Sequence, residues 1–397
     1  MTGQQSDCRA DSLTPDQRAH LVAMTALPFI GPARLRCLHE RPDPTASWQA
    51  LLRRRLDAVL QLREPESAAI AAAAAEFDVF DHLERHAAGA IRVDVLGEPG
   101  YPEVLAADHE APIVLFTRGA PLGSVSPSVG IVGTRDATGY GRSFAFDLGA
   151  ALIANGVSVI SGLALGVDAA AHSGAIGTLG ARGDSASATD RIGVGSVIGV
   201  VGCGLDRVYP ARNRALHHAV IERGSLISEV PIGTVPARWR FPARNRIIAA
   251  LSDVLVVVES AAAGGSMITV DEATTRSRTV LAVPGPVTSS TSDGTNQLLA
   301  DGCGPCRHLD DVLTALDLSP TGAARDGSVV AACGVTSRLS PVAREVLAGL
   351  EWTPTPLDRL AIATGRSFGE LCAALDELVV AGLARSVGGR FERTALR

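Results

Sequence analysis

The sequence contains no lysine: all 36 basic residues among its 397 are arginine. A P-loop lysine, a Schiff-base lysine and a lysine nucleophile are thereby excluded together. Any phosphate must be met by arginine, by backbone N–H groups or by helix N-termini. Genomic base composition also empties sequences of lysine, so the absence names no ligand by itself. No apolar run approaches 18 residues, so no span of a membrane is expected. Residues 1–12 are polar and hold no apolar segment of a signal peptide, from which a cytoplasmic protein is expected. The seven cysteines are scattered, as suits a reducing compartment. Cys303-Gly304-Pro305-Cys306 has no second pair at zinc spacing and reads as an incidental loop feature, so no metal and no cofactor are expected. A net charge of -6 and a pI near 5.9 argue against coating duplex DNA by charge alone. Any nucleic-acid site should be a local patch.

Such a patch is present. Residues 238–246 read Arg-Trp-Arg-Phe-Pro-Ala-Arg-Asn-Arg, and no acidic residue occurs between Val230 and Ser252. Cations mixed with flat rings suit a partner with both phosphates and stackable bases, which is single-stranded nucleic acid. A solvated basic loop is the plainer alternative.

Hydrophobic content of 46% with 20% charged residues is that of a globular chain, and the length suits two or three domains. Residues 13–90 read as a helical domain after a disordered tail at 1–12. Within it, Gly31-Pro32 sits at a helix–hairpin–helix turn, a packing module that can also offer N–H groups to a phosphate. Residues 91–318 alternate short Val/Ile-rich runs with helix-periodic stretches. The runs are Val129–Val132, Val157–Ile160, Val197–Val201, Leu226–Ser228, Val254–Val258 and Val280–Val283. Near-continuous apolar runs fit strands buried on both faces, so the expected fold class is α/β, a Rossmann-like doubly wound sheet. Ligands of such sheets bind beyond the carboxyl ends of the strands. Residues 180–195 interrupt the rhythm as an inserted flexible loop, and 319–335 read as a linker. Residues 336–397 then give three helices and a hairpin, the order of a winged helix-turn-helix. Its third helix carries Glu370, Asp376 and Glu377 with Arg366 ahead of it. An acidic helix is a poor groove reader, which favours contact with protein.

Several strand ends carry candidate ligand-binding loops. Gly133 lets backbone approach a ligand, Thr134 can donate from its hydroxyl, and Arg135 projects a planar donor fork. Ser161-Gly162 opens a loop of small residues leading to Asp168 and His172. The plain readings of those two are a helix cap and a packed core histidine. Gly202-Cys203-Gly204-Leu205-Asp206 leads to Tyr209-Pro210. Gly264-Gly265-Ser266 precedes a helix and can cradle an anion. Three donor-rich loops and an arginine run suit an extended polyanion better than one small phosphate.

In the order GIVGTR, SGLALGVDAAAH, GCGLDRVYPARN, SEVPIGTVP, FPARNRIIAALSDVLVVVE, GGSMIT, AVPG and GTNQLLADG, the chain resembles the bacterial DNA-processing protein A family over roughly residues 101–316. The FPARNRIIAALSD block and its spacing from GTR and AVPG carry the likeness. The resemblance implies an extended Rossmann-like domain that binds and shields incoming single-stranded DNA, as a homodimer, and loads RecA in natural transformation. It implies no catalytic residue. It places Arg135 in a positively charged DNA pocket and Phe241 against a base, with Arg238, Arg244 and Asn245 beside it. Gly133, Thr134, Ser161, Gly162, Gly264, Gly265 and Ser266 supply the remaining DNA contacts. The chain departs from the family where Gly264-Gly265-Ser266 replaces Ser-Gly-Ser, where Ser277-Arg278 replaces Gly-Arg, and in the 180–195 insertion.

Related Rossmann-like folds include nucleotide phosphoribohydrolases, which pair a Gly-rich phosphate loop with an essential glutamate. Pro284-Gly285-Pro286-Val287 has no glutamate close behind it. Asp168, Glu229 and Glu259 are the acid/base candidates under that alternative.

Overall fold

A computed structural model describes residues 13–122, 127–181, 195–318, 339–350, 355–381, 383–387 and 389–393. The expected tail at 1–12, nearly all of the 180–195 insertion and the linker at 319–335 lie outside the described residues, although Gly180 belongs to a helix. The chain divides into two compact units, Met1–Val125 with Gly199–Leu251, and Ser126–Ile198 with Ser252–Arg397.

Five helices come first: α1 (Pro15–Met24), α2 (Pro32–His39), α3 (Pro44–Leu52), α4 (Glu64–Glu76) and α5 (Val79–Ala88). Proline stands in the first turn of α1 to α4, where the missing N–H would have no helical partner anyway. Thr14, Asp43 and Asp78 accept from the free amides of α1, α3 and α5. Leu21, Met24, Leu38 and Ile70 are fully buried among these helices.

The α/β part follows as β1 (Ile91–Val95), α6 (Glu103–Ala106), β2 (Val114–Gly119), β3 (Ser128–Val132), α7 (Gly139–Ala154), β4 (Ser158–Ser161), α8 (Val167–Ala181) and β5 (Val197–Val200). It continues through α9 (Arg214–Arg223), β6 (Ser225–Ser228), α10 (Arg240–Leu251), β7 (Val254–Val257), α11 (Gly265–Thr275), β8 (Thr279–Ala282), α12 (Asp293–Ala300), β9 (Gly304–Pro305) and α13 (Leu309–Ala315). Every expected strand is found within a residue or two, in a mixed, mostly parallel arrangement flanked by helices. The strand order is β1-β2-β6 in the first unit and β4-β3-β7-β8-β9 in the second, the unit division falling within β5. β3 pairs in parallel with β4 and β7, and β7 with β8. Residues of β3, β4 and β7 are buried without exception, which explains their unbroken apolar runs. β1 and β2 were not foreseen. They pair antiparallel, and β2 pairs antiparallel with β6. β1 interrupts its apolar residues with Arg92 and Asp94, so it lacks the continuous signature. In the second unit α7 and α8 pack backbone to backbone: a Cβ on Gly149 would meet the Ala171 carbonyl at 2.3 Å, and one on Gly174 the Phe146 carbonyl at 2.0 Å.

The last elements are α14 (Pro341–Gly349), β10 (Thr355–Pro356), α15 (Leu357–Thr364), α16 (Phe368–Val380), β11 (Ala384–Val387) and β12 (Arg390–Arg393), with the short sheet ordered β10-β12-β11. This is a winged helix around Val346, Leu347, Leu360, Leu371, Leu375 and Leu378. The acidic residues of α16 have structural work. Glu370 closes a capping box with Ser367, and Glu377 accepts from the Ser340 amide at 2.7 Å and its hydroxyl at 2.6 Å.

In the first unit the helices are joined to the sheet by a histidine pair. His86 stacks on Phe116 with centroids 4.7 Å apart. Its Nδ1 donates to the His82 carbonyl at 2.8 Å, and its Nε2 accepts from the Ile232 amide at 3.2 Å. Acceptance from the Ile232 amide requires a neutral ring, and burial lowers the pKa of His86. Burial, then the neighbouring His86 and Arg85, push His82 down to about 4. Below its ordinary pKa of 6.5 the unfolded chain takes up protons that the fold refuses. The stability contributed by His82 is therefore whole above about pH 6.5 and is lost as pH falls toward 4, on the order of 3 kcal/mol by that point. Denaturant midpoints between pH 7 and about pH 5 should fall more steeply for the wild type than for His82→Gln. Parallel pH profiles would refute this account.

Candidate nucleic-acid interface

In the second unit three loops meet at the carboxyl ends of β3, β4 and β7. Glu259 and Ser260 join them. The Glu259 carbonyl accepts from the Thr134 amide at 2.7 Å. Its buried carboxylate accepts from the Thr138 amide at 2.9 Å and the Thr138 hydroxyl at 2.6 Å. Both ends of the Thr134–Thr138 loop are thus held by one residue, and Arg135 stands exposed between them. Thr134 turns its hydroxyl oxygen to the Asp136 amide at 3.2 Å. Gly133 is required by the crowding: a Cβ there would lie 2.6 Å from Val167 Cγ2 and 2.8 Å from the Glu259 carbonyl.

The donor role expected of Ser161 and Gly162 is not what the structure gives them. Both are buried. The Ser161 hydroxyl donates to the Ile131 carbonyl at 2.6 Å, and the Gly162 amide donates to Asp168 at 3.1 Å. Asp168, read from sequence as a helix cap, instead lies inside α8 and accepts from the loop amides of Gly162 and Ala164 at 3.1 and 3.4 Å. His172 is a core histidine whose Nε2 lies 3.1 Å from the Ile198 carbonyl. A loop buried between strand and helix must satisfy its own amides, and these residues do so.

At α11, Gly264 is the N-cap with no side-chain cap, and Gly265 is exposed. Ser266 is again turned inward, donating to the Ser260 hydroxyl at 2.8 Å. The Gly264 amide donates to the Ala261 carbonyl at 2.9 Å, so this turn too is tied into the fold.

In the first unit the arginine-rich segment runs into α10, whose first turn sorts its side chains by helical spacing. Phe241 and Asn245 fall on one face, Arg240 and Arg244 on another. Phe241 is half-buried and stacks on Tyr209 with centroids 5.3 Å apart and planes 25° from parallel. Tyr209 was not among the sequence candidates. The signal for it was its ring in the DRVYPARN motif, directly after a strand-end loop. Arg238 is exposed. Arg244 is 6% exposed and donates from Nη1 to the Val200 carbonyl, so it braces α10 against the end of β5 and does not project as a phosphate ligand. Arg246 is likewise internal, paired with Glu229 and donating to the Glu110 carbonyl at 2.6 Å. Asn245 is half-buried.

The carboxylates considered for chemistry are engaged. Asp168, Glu229 and Glu259 each have partners within their own unit. Burial pushes the Cys306 thiol up to about 12. Among the described residues no three His, Cys, Asp or Glu side chains gather as a metal set. No helix there is long and apolar enough to cross a membrane.

The described residues thus form a Rossmann-like sheet with arginine-bearing loops at its strand ends, followed by a winged helix. A family model described as DNA recombination-mediator protein A matches residues 92–317, and one described as DprA winged helix domain matches 333–390. The chain belongs to the DNA recombination-mediator protein A family. It is 37% identical over 283 residues to a putative DNA processing protein DprA of Mycobacterium tuberculosis, covering 71% of this chain and 68% of that one. Protein Smf of Synechocystis is 30% identical over 346 residues, covering 79% and 83%. The X-ray structure of DNA processing protein A from Streptococcus pneumoniae superposes with a TM-score of 0.52 at 27% identity, over 72% of this chain and 98% of that one.

Glu259 packs so closely under the start of α7 that a Cβ on Gly141 would lie 2.3 Å from its Oε2. Gly141→Ala should therefore cost about 1–3 kcal/mol in denaturant unfolding. An unchanged midpoint would mean that the Glu259 brace yields freely.

Proposed function

We propose that this protein binds single-stranded DNA as a recombination mediator in the cytoplasm, protecting the strand and loading RecA as a homodimer, as in natural transformation. The observation that carries the reading is the Tyr209–Phe241 stack. Two rings lie nearly parallel and incompletely buried beside the start of α10, and Arg238, two residues ahead of that helix, is exposed. Rings kept out of the core beside a cation form a platform for bases, tolerant of sequence. In the other unit, Arg135 on its braced loop is suited to phosphate. Family membership supports the same reading. The hydrolase alternative gains nothing from Asp168, Glu229 or Glu259, since each is tied into the fold.

Anisotropy with labelled oligo-dT tests it. Phe241→Ala should weaken binding by roughly 1–3 kcal/mol with little change in salt dependence. Arg135→Ala should weaken binding and flatten the salt slope by about one unit or less. Equal affinity of wild type and Arg135→Ala would remove Arg135 from the interface. Deleting residues 336–397 should leave oligo-dT affinity in place, whereas its loss would make the winged helix the main DNA module. A strand-exchange assay with RecA, in the presence and absence of the protein, reads the loading step.

A further inference from the structure

The first unit has a half-open cavity of about 870 Å³ on the face of α10 that carries Arg240 and Arg244, not the face that carries Phe241 and Asn245. Its opposite wall is the Pro28–Pro32 turn between α1 and α2, together with His82 and Arg85 of α5. The size is that of a small-molecule site.

Three features give this cavity a chemistry. The first is its aromatic surface. Phe29 and Trp239 line it and are 53% and 63% exposed, although the chain has few aromatics and buries most of its large apolar side chains. Phe29 is held there against a local cost. Its φ is 61°, in the left-handed region that disfavours bulky residues. Arg34 fixes that turn, donating to the Phe29 carbonyl at 2.9 Å and to the carbonyls of Leu60 and Gln61 at 3.0 and 3.1 Å.

The second is charge. Of the arginines lining the cavity, Arg34 is paired with Glu66, Arg85 with Asp81, and Arg244 bonds the Val200 carbonyl. The one carboxylate in the lining, Glu229, is paired with Arg246, which leaves Arg240 as the cation presented to a ligand. The Arg240 guanidinium lies over the Trp239 ring, 4.6 Å from its centroid, and its Nε has no hydrogen-bond partner. A flat cation stacked on an indole makes a surface on which another flat ring can lie and at whose edge an anion can be met.

The third is an open polar group. His82 lines the cavity, is 5% exposed, and its Nε2 has no hydrogen-bond partner. A flat ring, an anion and polar ring edges combined in one molecule describe a nucleotide.

We propose that this cavity is a nucleotide subsite, separate from the Tyr209–Phe241 platform, in which a base stacks on Trp239 and its phosphate is met by Arg240. The choice of ligand rests on the nucleic-acid reading above. The nucleotide is either free or one unit of a bound strand.

The test is tryptophan fluorescence of the full chain titrated with dAMP and, separately, with oligo-dT, in wild type and in Trp239→Phe. Quenching in the wild type that disappears in Trp239→Phe supports the subsite. Quenching by dAMP marks a free nucleotide as a ligand, and quenching by oligo-dT alone marks a unit of a strand. Arg240→Gln should weaken the responding ligand about tenfold while leaving the circular dichroism spectrum unchanged. Silence of Trp239 toward both ligands overturns the subsite, and so does an Arg240→Gln variant that binds as well as wild type. Labelled oligo-dT anisotropy on the same samples separates the two readings. Binding lost in Arg135→Ala with Trp239 silent sinks the subsite alone. Quenching by dAMP without any oligo-dT binding sinks the strand-binding reading and keeps a nucleotide site.

Discussion

The strand-end loops of the second unit depend on one buried side chain, Glu259. A carboxylate taken out of water must be met by donors, and here both are supplied by Thr138, through its amide and its hydroxyl. The same residue's carbonyl takes the Thr134 amide, and the next residue, Ser260, takes the Ser266 hydroxyl. The position of the loop that carries Arg135 and the shape of the turn at Gly264-Gly265 thus follow from satisfying two consecutive residues at the end of β7. Gly141 is small because the carboxylate occupies the space its side chain would need. A charge that could be mistaken for an acid/base catalyst is here a brace for a binding loop.

The arginines divide in the same way. With no lysine in the chain, one residue type serves both as ligand and as strut. Arg135 and Arg238 are exposed, while Arg244 and Arg246 are buried and spend their donors on backbone carbonyls and on Glu229. A guanidinium suits both tasks because its several planar donors can satisfy carbonyls from different segments at once. The density of arginine between 238 and 246 therefore overstates the cationic surface. Part of that run fastens α10 to the sheet.

Much of the architecture was legible from composition and spacing. The unbroken apolar runs of β3, β4 and β7 marked doubly buried strands, and the loops after them did gather at one end. The winged helix was legible from its helix pattern and its Gly-Gly turn. β1 was missed because Arg92 and Asp94 interrupt it, so no continuous run announces it, and the run at Ile113–Phe116 that forms β2 was passed over although it is continuous. For Ser161, Gly162 and Ser266 the sequence was silent on orientation. Motif spacing places a hydroxyl or amide at a strand end but is silent on whether it faces out or inward, and these three face inward. Tyr209 was passed over because nothing local links it to Phe241, 32 positions further along the chain.

By itself the sequence determined the kinds of groups available: arginine without lysine, rings beside cations, small residues at strand ends, and the alternation that builds a Rossmann-like sheet. Those follow from residue chemistry and period alone. Only the tertiary structure decided which arginines reach solvent, which ring pairs with which, and which polar groups are already satisfied. Each of those is a contact between segments far apart in the chain. Whether a donor is open to a ligand depends on whether another part of the fold has already met it.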